Sequence, residues 1–264
     1  MNNDLHIERL WLANNLRNYN YIAVCKKTKQ ALVIDPFATQ QILDTINANG
    51  WTVKAVVNTH DHGDHIAGNE AIISATSAPL FAPLNANIDH VDDWLSEGDQ
   101  VSLGESIIFD VIDTSGHTLP HISLLSNTEQ PELICGDTIF NAGAGNVHSG
   151  DAEVLFNTFE NKISKLNDRT RIYPGHDYMQ NNLEFTLNIE ADNLAAKEML
   201  DQANQHRPED QIITDIGQEK TFNTFLRLDE PSIISKLVRQ HPELGSNPSR
   251  KDIFLKLRAL RNQW

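Results

Sequence analysis

The chain has 264 residues, 40% of them hydrophobic and 22% charged, the composition of an ordinary soluble globular protein rather than a disordered or collagen-like one. Its 36 acidic against 21 basic residues leave a formal charge of −15, which argues against nucleic acid or an anionic membrane surface as a partner. No apolar run approaches the ~20 residues of a membrane span.

The N-terminal MNNDLHIERLW lacks a basic stretch followed by an apolar one, so no secretory signal is expected. Cys25 and Cys135 lie in the strand-like runs NYIAVC and ELICGD. They read as buried thiols of a reducing compartment, not as a disulfide framework. A cytoplasmic monomer or weak homo-oligomer is expected.

In chain order, β-branched and apolar runs predict strands at 20–25 and 30–35, a helix at 40–49, a strand at 53–58 and a helix at 67–76. Strands follow at 107–113, 121–126, 132–136 and 171–173. Such alternation indicates an α/β layered fold. Beyond His176 the texture becomes helical. Residues 180–206 favour helix, with Leu183, Leu187, Leu194 and Leu200 as inward positions. Pro231 opens another helix, and Ser249-x-x-Asp252 is a capping box before a last helix at 253–262. The expected domains are therefore 1–177, carrying the chemistry, and a helical 178–264.

The densest chemical signal is Thr59-His60-Asp61-His62-Gly63-Asp64-His65, just after the strand at 53–58. Packing has no use for so many crowded polar groups. His60 and His62, two apart on an extended segment, face one side and can share a cation. Asp64 and His65, where the chain turns into a helix, can reach a second. Three later segments repeat a donor after a strand: Gly116-His117, Gly136-Asp137 and Gly175-His176. The glycine before each donor suits a tight turn. Five histidines and two aspartates suffice for two cations if one aspartate bridges. Two divalent ions about 3.5–4 Å apart activate a shared water and polarise the carbonyl under attack. A His/Asp shell without Cys fits a catalytic rather than a structural zinc site. By contrast, the isolated His90, His206 and His241 read as surface or turn residues, and Cys135 as core. His121 reads equally as a supporting partner of the cluster and as a strand residue.

Thr-His-x-His-x-Asp-His with later His, Asp and His after strands resembles the metallo-β-lactamase superfamily. That implies a four-layer αβ/βα sandwich with both metals at one edge. Asn18-Tyr19-Asn20-Tyr21, Gly136-Asp137-Thr138-Ile139-Phe140, Gly175-His176-Asp177-Tyr178 and the final Leu257-Arg258-Ala259-Leu260-Arg261-Asn262-Gln263-Trp264 are similar to hydroxyacylglutathione hydrolases, the glyoxalase II family. The similarity also covers the run from Ile216 to Lys220 and that from Asn223 to Arg227, so it extends end to end. By this resemblance His60, His62 and His117 hold one metal, Asp64, His65 and His176 the other, and Asp137 bridges. Zinc is the expected metal, with iron or manganese as alternatives. Asp137 and Asp64 are the expected catalytic carboxylates, Asp64 also orienting the attacking water. The implied reaction cleaves S-D-lactoylglutathione to glutathione and D-lactate, in methylglyoxal detoxification.

Such a substrate is anionic and needs a basic anchor. From Gly245 onward, Arg250, Lys251, Lys256, Arg258 and Arg261 stand against one acid, Asp252. Arg258 and Arg261 match the family's glutathione-contacting pair and share a helix face, with Lys251 near it. The plainer reading is that cations near a helix C-terminus complement its dipole. Tyr178 matches a tyrosine near the substrate. After Asp137 the family has Gly-Cys-Gly, then Arg or Lys, then an aromatic. Here Asn146 stands at the basic position and His148 near the aromatic one. Losing a charge-assisted hydrogen bond costs about 1–2 kcal/mol, so glutathione binds about tenfold more weakly or another thiol carrier takes its place. A persulfide dioxygenase on the same fold is the alternative chemistry.

Overall fold

The computed structural model describes residues 4–264, which form two compact units. The first comprises the chain up to Thr114, Pro120–Gly136 and Tyr173–His176. The second comprises Ser115–Leu119, Asp137–Ile172 and Asp177–Trp264.

In the first unit, β1 (Leu5–Trp11), β2 (Tyr19–Cys25) and β3 (Gln30–Ile34) pair antiparallel, and α1 (Thr39–Asn49) crosses over to β4 (Thr52–Val57), parallel to β3. Short α2 (Gly63–Ile66) and α3 (Asn69–Thr76) lead to β5 (Leu80–Pro83) and β6 (Asp93–Leu95), completing a six-stranded sheet in sequential order. The second sheet runs β13-β10-β9-β8-β7, from β7 (Gln100–Leu103), β8 (Ile107–Asp113), β9 (Ile122–Ser126), β10 (Glu132–Gly136) and the returning β13 (Arg171–Pro174).

The side-chain period of two explains why the central strands read as unbroken apolar runs. Along β2, Tyr19, Tyr21, Ala23 and Cys25 enter the core between the sheets, while Ile22 and Val24 enter a second core. β3 divides likewise, with Leu32 and Ile34 on one side and Ala31 and Val33 on the other. β8 supplies Ile107, Phe109 and Val111 to the inter-sheet core. Ile42 and Ile46 of α1 and Ile72 of α3 cover the outer face of the first sheet. Phe109 is fully buried, and truncating such a residue to alanine costs about 3–5 kcal/mol. Cys25 and Cys135 form no disulfide and are buried, as expected.

The second unit carries a two-stranded ribbon, β11 (Ile139–Phe140) with β12 (Gly143–Ala144), and six helices. These are α4 (Ala152–Asn161), α5 (Met179–Ile189), α6 (Leu194–Ala203), α7 (Ile216–Phe222), α8 (Pro231–Gln240) and α9 (Arg250–Arg261). Asp151 caps α4, and the Ser249–Asp252 capping box forms with both hydrogen bonds in place. It starts α9 at Arg250, earlier than the apolar pattern alone suggested. Residues 180–206 do not form one helix. The Asn193 side chain accepts from the Ala196 N–H and so starts α6 afresh. Leu194, expected to face inward, is then the first helical residue and is 69% exposed. The structure also adds α4, β1 and β5–β7, whose mixed patterning gave no clear period.

Candidate metal centre

Strands β3 and β4 lie side by side and parallel, with Ile34 opposite Val57. Their C-terminal ends therefore release Asp35 and the segment from Asn58 to His65 at one sheet edge. Asp35 takes φ of 49°, a left-handed turn that aspartate tolerates. Its buried carboxylate accepts from the Thr59 N–H (2.7 Å), the Thr59 hydroxyl (2.7 Å) and His65 Nδ1 (3.0 Å). Having given its proton to Asp35, the Thr59 hydroxyl accepts from His60 Nδ1 at 2.9 Å. One carboxylate thus fixes the Nδ1–H tautomer of both histidines, directly for His65 and through Thr59 for His60. Both Nε2 atoms are left as lone-pair donors.

These donors converge. His65 Nε2 lies 3.2 Å from His176 Nε2, and each is 3.5 Å from Asp64 Oδ2. His176 Nδ1 donates to the Leu16 carbonyl at 2.7 Å, and Asn18 Nδ2 donates to the same Asp64 oxygen at 2.9 Å. His60 Nε2 faces His62 Nδ1 at 3.1 Å. Imidazole lone pairs turned toward one another beside a carboxylate repel unless a cation sits among them, so the set Asp64, His65 and His176 fits a metal ion. His121 adopts the supporting role of its two readings. Its ring stacks on His60 at 4.9 Å and its Nδ1 bonds to the Thr114 hydroxyl at 2.9 Å. Gly136, at φ 46°, passes so close that a Cβ would lie 2.4 Å from the Thr59 hydroxyl. The glycine protects the Asp35–Thr59–His60 relay. Gly116 also has positive φ, at 140°, whereas Gly175 does not.

In the second unit, His117 donates Nδ1–H to the main-chain carbonyl of Asn146 at 2.7 Å and places Nε2 3.4 Å from Asp137 Oδ2. Any residue at 146 offers that carbonyl, so the Asn146 substitution leaves the orientation of His117 intact. Gly145 fits under this pair only because it has no side chain. A Cβ there would lie 2.0 Å from the Asp137 carbonyl and 3.1 Å from His117 Cβ.

Beside the ribbon lies a cleft of about 250 Å³ lined by Phe140, Asn146, His148, Tyr178, Arg258 and Arg261, among others. The five tail cations now separate. Arg250 pairs with Glu160 and Asp229, Lys251 with Glu153 (2.6 Å) and Lys256 with Glu243 (2.7 Å). Lys251 is therefore an exposed ion-pair residue and not a free anchor. Arg258 and Arg261 have no carboxylate partner among the described residues. Arg258 is buried, donates Nη1 to the carbonyls of Ala144 (2.6 Å) and Gly145 (3.0 Å), and lies over the Phe225 ring. Burial, with the neighbouring Arg261 charge, pulls its pKa down to about 9; it stays cationic at neutral pH. Arg261, lowered by burial, donates Nε to Asn182 Oδ1 at 3.1 Å. Two half-satisfied cations without a carboxylate partner leave the cleft with uncompensated positive charge, and a buried charge calls for a partner. Tyr178 packs edge-on against Phe140. Asp35 was not singled out from the sequence, and Thr59 and Asn18 stood in quoted motifs without a role of their own.

Paired sheets that deliver histidines and aspartates from strand ends define a metallo-hydrolase of the metallo-β-lactamase class. Residues 15–176 match the family model of the metallo-β-lactamase superfamily, and residues 177–264 match that of the hydroxyacylglutathione hydrolase C-terminus. The chain is 47% identical over 261 residues to a hydroxyacylglutathione hydrolase of Polaromonas sp. (strain JS666 / ATCC BAA-500), covering 98% of this chain and 99% of that relative. It is 46% identical, with the same coverage, to a hydroxyacylglutathione hydrolase of Nitrosococcus oceani. The chain belongs to the hydroxyacylglutathione hydrolase family, metallo-hydrolases that act on thioesters. Among solved structures, ETHE1 from Myxococcus xanthus aligns with a TM-score of 0.66 and 24% identity over 97% of this chain and 98% of that one, a likeness of fold.

Proposed function

We propose that the protein hydrolyses S-D-lactoylglutathione and related S-2-hydroxyacylglutathiones to glutathione and the free 2-hydroxy acid, in the cytoplasm, as a step of methylglyoxal detoxification. The observation that carries this reading is similarity along the whole chain to hydroxyacylglutathione hydrolases. The two family matches meet between residues 176 and 177. That junction supports a division into a metal-holding part, 1–177, and a substrate-binding part, 178–264. Buried thiols that form no disulfide are consistent with a reducing compartment. No helix among the described residues is long and apolar enough to cross a membrane.

By the family pattern His60, His62 and His117 would hold one ion and Asp64, His65 and His176 a second, with Asp137 serving both and zinc as the expected metal. Divalent ions bound by such residues lower the pKa of water and stabilise the oxyanion that forms on the thioester carbonyl. The chain's own residues do the rest. Asp35 and Thr59 hold His60 and His65 in the ligating tautomer, and Leu16 and Asn146 carbonyls do so for His176 and His117. Asn18 fixes the Asp64 oxygen that faces both Nε2 atoms. Arg258 and Arg261 receive the glutathione carboxylates, Tyr178 packs beside the thiol carrier, and His148 and Asn146 form the wall where the family places an aromatic and a cation. A neutral amide at 146 lowers glutathione affinity about tenfold against a basic residue.

Parallel hydrolysis of S-D-lactoylglutathione and of the lactoyl thioester of coenzyme A tests the assignment. The account predicts that the glutathione thioester is the better substrate by at least tenfold in kcat/KM. Preference for the coenzyme A thioester would reassign the thiol carrier while keeping the reaction.

A further inference from the structure

The ribbon joining Asp137 to Asn146 turns at Asn141–Ala142, and Ala142 holds φ of 58°, a left-handed conformation that costs energy with a side chain present. Helix α7 and the residue that caps its C-terminus grip that turn, through Glu219 and Asn223. Glu219, fully buried, accepts from the Ala142 N–H at 2.8 Å, from Asn223 Nδ2 at 2.9 Å and from the Thr214 hydroxyl at 2.6 Å. Asn223 Nδ2 also donates to the Gly143 carbonyl at 3.1 Å. The Thr214 hydroxyl already accepts from Asn141 Nδ2 at 2.7 Å, so its one proton is committed to Glu219. Every donor aimed at this carboxylate is neutral, and none of the groups that touch it is charged. On the same helix, Asp215 caps the Gln218 N–H and Lys220 pairs with Asp168 at 2.6 Å, neither reaching Glu219. A neutral side chain would be easier to bury here; the carboxylate is matched to the turn it holds.

The held turn matters because both ends of the ribbon carry function. Two residues before β11 stands Asp137. At the end of β12 and just beyond it, the carbonyls of Ala144 and Gly145 bind Arg258, and that of Asn146 orients His117. We propose that Glu219 is a positioning residue for the thioester hydrolysis: its buried carboxylate fixes the Asn141–Ala142 turn and thereby the loop that carries Asp137 and the arginine-lined wall of the substrate cleft. This rests on the hydrolase reading above. Burial raises the Glu219 carboxyl to about 7 against opposing hydrogen bonds from Thr214, Asn223, Asn141 and the Ala142 N–H. Near neutrality, therefore, the gain of a proton leaves one of these donors without its acceptor, and the turn loosens.

The test compares wild type, Glu219→Gln and Thr214→Val, each metal-analysed, across pH 5.5–9. Glutamine offers one acceptor and sets its own N–H against a donor. It is expected to raise KM for S-D-lactoylglutathione about fivefold to tenfold at pH 8, with kcat changed less than KM, and to erase the rise of wild-type KM on the acid side. Thr214→Val removes one stabilising donor and is expected to keep that acid rise but move it to higher pH. Hydrogen exchange of the Ala142 amide, corrected for intrinsic pH dependence, needs no substrate. Protection is expected to fall about tenfold below neutrality in wild type and to be low at every pH in Glu219→Gln. Wild-type KM and an unshifted acid rise in both variants, or an Ala142 protection indifferent to pH, would overturn the proposal. If wild type does not turn over lactoylglutathione, the hydrolase reading fails by itself, and the exchange experiment still decides whether Glu219 holds the turn.

Discussion

His65 gives its Nδ1 proton to Asp35 at 3.0 Å, with both side chains buried. Because Thr59 relays the same carboxylate to His60, a residue outside the ligand set governs two ligands at once. Asp35→Asn keeps the shape but removes the charge that raises imidazole basicity, and it is expected to weaken metal affinity about 10–100-fold. Metal content after dialysis against a weak chelator reads this directly, and excess zinc should restore much of the activity.

Gly145 gives a steric prediction. A Cβ 2.0 Å from the Asp137 carbonyl forces the loop to move, and the residues it presses on are Asp137 and His117. Gly145→Ala is expected to lower bound metal by about one equivalent and turnover by more than a hundredfold, with a smaller loss of melting temperature. Metal analysis beside a thermal melt separates the two effects.

The two unpaired arginines should differ. Arg261 makes one side-chain hydrogen bond and borders the cleft, so Arg261→Ala is expected to raise KM about tenfold with little change in melting temperature. Arg258 also holds two carbonyls and covers Phe225. Arg258→Ala should raise KM by about 10–100-fold, the equivalent of a charged hydrogen bond worth about 1.5–3 kcal/mol, and destabilise the protein as well. Steady-state kinetics and urea unfolding of both variants check the contrast. A fall in kcat at unchanged KM would place these residues elsewhere in the reaction.

Stability should move against function as pH changes, again through Glu219. Its folded-state pKa, about 7, lies above the usual glutamate value of 4.5, so the folded protein binds the proton more tightly than the unfolded chain. The contribution is complete below about pH 4.5 and is lost as pH rises through about 7. It amounts to roughly 3 kcal/mol for a fully buried group. Urea unfolding at pH 5 and pH 8 is expected to show this fall in wild type beyond that in Glu219→Gln. The difference between the two proteins isolates Glu219 from the histidines that titrate in the same range.

The sequence made some of this legible for a physical reason. Metal ligands crowd together after strands, and the cluster from His60 to His65 has no packing explanation, so its chemistry is visible without a fold. The central strands were equally plain, because β2 and β3 are buried on both faces. Other features depend on tertiary contacts that no local pattern encodes. Asp35 reads as an ordinary turn acid until β4 is placed beside β3. Glu219 carries no role in the run from Ile216 to Lys220 until the Ala142 turn packs onto it. Leu194 misleads because a capping asparagine, which a periodicity count ignores, resets the helix phase. The tail cations could not be told apart until Arg250, Lys251 and Lys256 found their carboxylates, leaving Arg258 and Arg261.

The central claim is that this chain is a metal-dependent hydrolase of glutathione thioesters. Loss of thioester absorbance from S-D-lactoylglutathione, followed with zinc-loaded protein of measured metal content and again after chelation, tests it most directly. The account predicts kcat/KM of about 10⁴ M⁻¹s⁻¹ or more, lost on chelation and regained with metal. Negligible turnover by protein carrying two metal ions per chain, or turnover indifferent to chelation, would contradict it.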